Sequence, residues 1–313
     1  MHTKTPLRYP GGKSLMTPLF VDMFEINHLE HVTYAEPYAG GAGTAINLLV
    51  DEKVDRILIN DANIGVFSFW NSILHHTDAF IDRIQSVSLT LEEWRTQHEL
   101  LCSATQPSFD LGFATFYLSR TNRSGILNAG PIGGSSEEMQ SKAKYKLDCR
   151  FNKTDLIQKI VNIANRKKQI VVTHKDAIKF LKDLKGRNTF VYLDPPYYVN
   201  GKSLYLDYYR AEDHLQLANY LTSTNKIMWV LSYDNVSEIR DLYAGYDLYE
   251  FDLKYTANIK KYGSELLTYS KNLILPKKCE IRRSERNLIL KKIEFAKEDI
   301  CQEDRSAIIS GLW

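Results

Sequence analysis

Asp194, Pro195, Pro196 and Tyr197 stand directly behind the apolar run Thr189–Leu193, and together they carry the groups needed to work on an exocyclic amine. Two prolines remove two backbone donors and fix two φ angles, so the corner is stiff and its carbonyls stay free to accept. A carboxylate and such a carbonyl can take the two protons of an amino group, and a tyrosine ring offers a face for a planar base. The chemistry indicated is modification of an amino group on a nucleobase. The plain alternative is a rigid turn after a strand, because short motifs also arise by chance.

Three other turns fit the same purpose. Residues 34–43 contain Glu36, Tyr38, Gly40, Gly41 and Gly43, follow an apolar run and lead into a helix. Glycines there let the backbone pass close to a ligand and turn into a helix N-terminus. Asp61 ends the run 56–60, about 20 residues beyond the glycines, an offset at which an acid accepts from ribose hydroxyls. It can equally cap the helix that follows, and the two roles are compatible. Near the start, Arg8-Tyr9-Pro10-Gly11-Gly12-Lys13-Ser14 contains Gly-Lys-Ser, but a phosphate loop needs a glycine where Leu7 stands, which disfavours nucleoside triphosphates. What remains is a glycine turn presenting an aromatic (Tyr9) and a cation (Lys13) to a ligand with a carboxylate, or a helix cap with a solvated lysine. Asp176 closes the run 169–174 and can accept from an adenine amine or cap the helix after it.

The elements that must position these residues alternate. Strands are expected near 33–36, 56–60, 169–174, 189–194, 227–232, 248–253 and 267–275. Helices are expected near 13–26, 43–52, 64–74, 154–168, 177–184, 211–223 and 284–300. Such alternation predicts a doubly wound, mostly parallel sheet, with the last two strands forming a hairpin because no long helix separates them. More than a crossover's worth of chain lies between 60 and 169, so residues 76–165 read as an inserted subdomain. At 313 residues, 44% apolar and 25% charged, the chain has the composition of a globular protein with a full core. No run approaches the roughly 20 apolar residues of a membrane span, no signal segment is visible, and four scattered cysteines suggest neither zinc nor disulfides, so a cytoplasmic setting is expected. Residues 277–297 are locally basic, which permits a polyanionic partner.

In this order, the motifs resemble the Dam-type N6-adenine DNA methyltransferases in their α arrangement, over residues 9–276. Pro10-Gly11-Gly12-Lys13 is similar to that family's N-terminal cofactor motif, Glu36 to Gly43 to its glycine loop, and Asn60-Asp61 to the position of its ribose acid. Asp194 to Tyr197 resembles its catalytic loop, and residues 231–235 and 265–272 its later strands. Tyr9 departs from the tryptophan frequent there, which preserves an aromatic face. The resemblance implies a Rossmann-like S-adenosylmethionine-dependent methyltransferase fold with a mostly parallel, seven-stranded sheet. It also implies a catalytic domain of residues 1–75 plus 166–313 and an inserted, largely helical DNA-recognition subdomain at 76–165. S-adenosylmethionine would be the donor, S-adenosylhomocysteine the product, and no metal is expected. Tyr9, Lys13, Glu36, Tyr38, Gly40, Asp61, Asp176 and Asp194 are the donor-binding candidates; Asp194, Pro195 and Tyr197 are the catalytic ones.

The expected reaction flips an adenine out of duplex DNA, stacks it on Tyr197, and lets Asp194 and the Pro195 carbonyl accept the N6 protons. The insertion is the expected reader. Arg120, Asn122 and Arg123 suit base edges, phosphates or local architecture, and Lys142, Lys144, Lys146, Arg150 and Lys153 suit the DNA backbone. In the tail, Ile289, Ile293, Ala296 and Ile300 fall at helical spacing and predict a packed helix. Rival readings are methyl transfer to RNA, to a protein glutamine or to cytosine N4, and a non-catalytic donor-binding subunit of a restriction or defence complex. A cognate restriction endonuclease is a partner that the resemblance allows. Oligomeric state and target sequence are not written in these residues.

Overall fold

The computed structural model describes residues 4–186, 188–199, 209–255, 261–276 and 290–294. Its strands are β1 (Thr33–Glu36), β2 (Arg56–Asn60), β3 (Ile170–Thr173), β4 (Thr189–Leu193), β5 (Met228–Asp234), β6 (Leu248–Tyr255), β7 (Lys261–Tyr269) and β8 (Lys291–Lys292). They form one eight-stranded sheet in the order β3-β2-β1-β4-β5-β7-β6-β8. The five strands from β3 to β5 run parallel, while β7, β6 and β8 join by antiparallel ladders. The expected mostly parallel sheet and final hairpin are therefore present, with eight strands in place of seven.

Alternation along the strands explains why both faces are covered. Tyr34, Phe190 and Tyr192 point into one core cluster, and Ala35, Val191, Leu193, Trp229 and Leu231 into the other. Successive side chains of a strand take opposite faces, and a strand buried on both reads as a continuous apolar run. Helices α1 (Thr17–Ile26), α2 (Gly43–Val50) and α3 (Ile64–His75) cover the first face; α9 (Ala177–Asp183), α10 (Ala211–Ser223) and α11 (Ser237–Leu242) cover the second.

Between α3 and β3 lie α4 (Thr77–Ser86), α5 (Leu91–Ser103), α6 (Phe109–Thr121), α7 (Glu137–Lys142) and α8 (Lys153–Ala164). Helix α6 is buried from Leu111 to Ser119 and packs on α3, with the Phe69 and Phe116 rings stacked 5.8 Å apart. Its phenylalanines belong to the same core as the sheet.

Two expectations change. The strand read at 267–275 is displaced towards the N-terminus, because the ladder with β6 supplies backbone partners to Lys261–Tyr269 regardless of polarity, and the chain turns at Lys271 and Asn272. The helix read at 284–300 does not include residues 290–294, where β8 pairs with β6, the Ile293 amide donates to the Leu248 carbonyl, and Ile293 packs against the second core. The remaining tail residues of that reading, Ile289, Ala296 and Ile300, lie outside the described residues.

Candidate active site

In strand order, β1 has β2 on one side and β4 on the other, so the chain winds outward in opposite directions from their shared edge. Open α/β sheets bind ligands beyond the carboxyl ends of the strands at such a switch point. Asn60 draws three of these strand ends together. Its amide donates to the Pro37 and Lys175 carbonyls at 3.0 and 2.9 Å, and its oxygen accepts from Thr173 Oγ1 and the Lys175 amide at 2.7 and 2.9 Å.

A cavity of about 300 Å³ opens there, and Tyr9, Lys13, Glu36, Tyr38, Gly40, Asp61, Asp176 and Asp194 all line it. Gly40 has φ +45°, and a Cβ on it would sit 2.6 Å from the Tyr9 ring, so only glycine lets the aromatic lie against the loop. The Gly40 amide donates to Asp61 Oδ2 at 2.8 Å, and the Asn63 amide to Oδ1 at 2.9 Å. Helix α3 is capped by Asn63, which accepts from the Gly65 and Val66 amides, so the capping role considered for Asp61 falls to its neighbour. Asp176 does cap α9, through the Lys179 amide at 2.9 Å, while also lining the cavity. The Tyr38 and Tyr209 hydroxyls meet at 2.7 Å on the cavity wall.

Glu36 accepts from the Tyr34 hydroxyl at 2.9 Å and the Ala45 amide at 3.2 Å. Burial pushes its carboxyl up to about 8, so it is neutral at pH 7; a cation entering the cavity would favour its ionised form.

Asp194 leaves the sheet where β4 ends. Lys13 Nζ donates to both of its oxygens at 3.0 Å, and Ser232 Oγ lies 2.9 Å from Oδ1, itself 2.7 Å from the Tyr192 hydroxyl. The ammonium also donates to the Tyr197 hydroxyl at 2.8 Å and lies 3.4 Å from Glu265 Oε1, to which Tyr197 donates in turn. Pro195 is buried. Tyr197 is 5% exposed, its hydroxyl drawn inward by Lys13 and Glu265. Asp234, at the end of β5, accepts from the Tyr198 and Val199 amides at 2.9 Å and so fixes the turn behind the prolines. Ser232, Asp234 and Glu265 were not among the expected site residues. The usable signal was an acid inside or at the end of an apolar strand, which needs a partner once buried.

The expected DNA residues divide. Asn122 is 0% exposed, donating to the Ile126 and Leu127 carbonyls at 3.0 and 2.8 Å and accepting from Trp94 Nε1 at 2.6 Å. Arg120 turns inward, its Nε 2.6 Å from the Pro6 carbonyl; burial first, then the charge of Arg8, pushes its guanidinium down to about 10. Lys153 holds the Gln85 and Val87 carbonyls. The polar groups of Arg120 and Asn122 hold partly or fully buried carbonyls, whereas Lys153 holds carbonyls near the surface. Arg123, Lys144 and Arg150 are exposed. Arg8, which the sequence did not single out, lines the cavity, donates to the Asn122 carbonyl at 3.4 Å and feels the charge of Arg150.

Comparison with known proteins gives a consistent picture. Residues 9–257 match the family model described as D12 class N6 adenine-specific DNA methyltransferase. The chain is 24% identical over 273 residues to the type II methyltransferase M.CviBI of Paramecium bursaria Chlorella virus NC1A, covering 85% of this chain and 96% of that protein. It is 22% identical over 282 residues to the type II methyltransferase M.MjaIII of Methanocaldococcus jannaschii, covering 83% and 94%. It is also 23% identical over 256 residues to the modification methylase StsI of Streptococcus sanguinis, covering 76% of this chain and 36% of that one.

Proposed function

The chain belongs to the D12 class N6 adenine-specific DNA methyltransferases, and we propose that its cavity takes S-adenosylmethionine and presents it to an adenine turned out of duplex DNA at Asp194. The donor set suits that molecule. Asp61 and Asp176 can accept from ribose hydroxyls and the adenine amine, while Tyr9 offers an aromatic face and Asp194 a negative field for a sulfonium, whose approach favours the ionised form of Glu36. When bound, the donor supplies an electrophilic methyl group and leaves as S-adenosylhomocysteine.

The protein's own contribution is placement and charge. Asp194 and the Pro195 carbonyl accept hydrogen bonds from the two N6–H groups, which aims the nitrogen lone pair across the cavity; once N6 carries the methyl group, one of these protons leaves by way of Asp194 to solvent and the other stays on the product. Lys13 and Ser232 hold the carboxylate at that angle. Extrusion is required because N6 is unreachable inside a stacked pair. Stacking on Tyr197 would require its hydroxyl to leave Glu265; in the described conformation the residue braces Lys13 instead.

Residues 76–165 are assigned to target reading, with Arg123, Lys144 and Arg150 on DNA, and the rest of the chain to catalysis. Site-specific action beside a cognate restriction endonuclease is supported by the names of the relatives, type II methyltransferases and a modification methylase. Among the described residues, no helix is long and apolar enough to cross a membrane; the cytoplasm is the proposed setting.

The observation that carries this reading is Asp194 at the switch point, held by Lys13 and Ser232 on the wall of a cavity lined by two glycine turns. Asp194→Ala should lower methyl transfer to adenine-containing duplexes by about 100-fold or more while labelled donor still binds. Undiminished transfer in that variant would remove Asp194 from the mechanism. Parallel assays on RNA and on duplexes offering cytosine as the only target amine should be blank.

A further inference from the structure

Glu265 has no assigned part in the reaction, yet it is 1% exposed and stands on β7 opposite Asp234 of β5, at the rear of the Asp194 corner. Its Oε1 accepts from the Tyr197 hydroxyl and lies 3.4 Å from the Lys13 ammonium. That ammonium, 3% exposed, is thus shared between two carboxylates. A carboxylate offers about four lone-pair positions. Among the described residues, Asp194 Oδ1 receives Lys13 and Ser232, while Oδ2 receives Lys13. One acceptor position therefore stays open, on Oδ2, and this holds only while Lys13 does not move further onto that oxygen.

We propose that Glu265 is a positioning residue for methyl transfer: by sharing the Lys13 ammonium and anchoring the Tyr197 hydroxyl, it keeps Asp194 Oδ2 open to the target amine. This rests on the role given to Asp194 above. Without the second carboxylate, the ammonium is drawn more strongly to Asp194 and closes over it. The carboxylate then remains ionised but loses its free acceptor position. Methyl transfer should suffer more than donor binding, because Glu265 does not line the donor cavity and reaches it only through Lys13.

Glu265→Gln preserves side-chain volume and an oxygen for Tyr197 but removes the charge. The expected result is a kcat about 10- to 100-fold lower, with donor Kd and DNA KM within about 2-fold of the parent. A kcat within about 2-fold of the parent, or a loss of kcat matched by an equal loss of donor or DNA affinity, overturns the proposal. Tyr197→Phe gives a second reading, independent of whether the glutamine variant folds: it removes only the hydroxyl arm and should lower kcat with donor Kd within about 2-fold of the parent, and an undiminished kcat there counts against the proposal. Asp194→Ala separates the two levels of the argument. If it stays active, the reading of the site fails; if it is inactive beside a fully active Glu265→Gln, only the role of Glu265 fails.

Discussion

Burial holds the Glu36 carboxyl at about 8, so through the neutral range the folded chain keeps a proton that the unfolded chain releases near 4.5. A group raised in this way adds stability that is fully present below 4.5 and lost as pH climbs to about 8. The slope it contributes is at most about 1.4 kcal/mol per pH unit. Glu36→Gln should therefore flatten the fall in urea midpoint between pH 5 and about 8, and an unchanged slope would mean that the carboxyl is already ionised in the fold. Acids at strand ends were the readable part of the site. Asp61, Asp176 and Asp194 each follow an apolar run, and the carboxyl ends of parallel strands converge on one cleft. Glu265 was harder to find, because its place depends on which strand pairs with β5, and pairing is a long-range property. Residue type also misled at Arg120 and Asn122: an arginine and an asparagine in a polar loop look like readers, but sequence does not say whether their donors face solvent or the carbonyls of a neighbouring turn.

The segment after α6 depends on a single side chain. Asn122 ties the Ile126 and Leu127 carbonyls and the Trp94 indole into one knot, inside a loop that also carries an isolated bridge to Pro131. Asn122→Ala should cost about 2–3 kcal/mol in denaturant unfolding, since it leaves buried donors and acceptors without partners. Arg123→Ala, one residue on and exposed, should stay within about 0.5 kcal/mol of the parent but weaken DNA binding. The reverse pattern would make Arg123 the structural residue and expose the adjacent amide to DNA. Most helices and parallel strands were legible because hydrophobic period and turn chemistry agree there. The boundaries of β7 and the existence of β8 were not, because an antiparallel edge gains its stability from ladder bonds that place little demand on side chains.

For the molecule as a whole, the net charge of +2 hides an uneven surface. If Arg123, Lys144 and Arg150 neutralise phosphates, replacing any one by alanine should lower the slope of log affinity against log salt by about one unit, with little change in donor binding. Slopes identical to the parent would move the DNA path elsewhere. The sheet class followed from alternation alone, whereas the depth at which α6 enters the core did not, since an insertion in sequence need not be a separate body in space. That entanglement reaches the amino terminus. Arg120 grips the Pro6 carbonyl, Arg8 reaches the Asn122 carbonyl, and a Cβ on Gly125 would lie 2.9 Å from the Arg8 oxygen. Residues 5–9 are thus stitched to the loop following α6, immediately ahead of Lys13. If residues 76–165 read the target and the cavity takes the methyl donor, as proposed above, a chimaera that transplants only the middle of the chain would tear those stitches and spoil the pocket, so retargeting would have to carry the first dozen residues along with the graft.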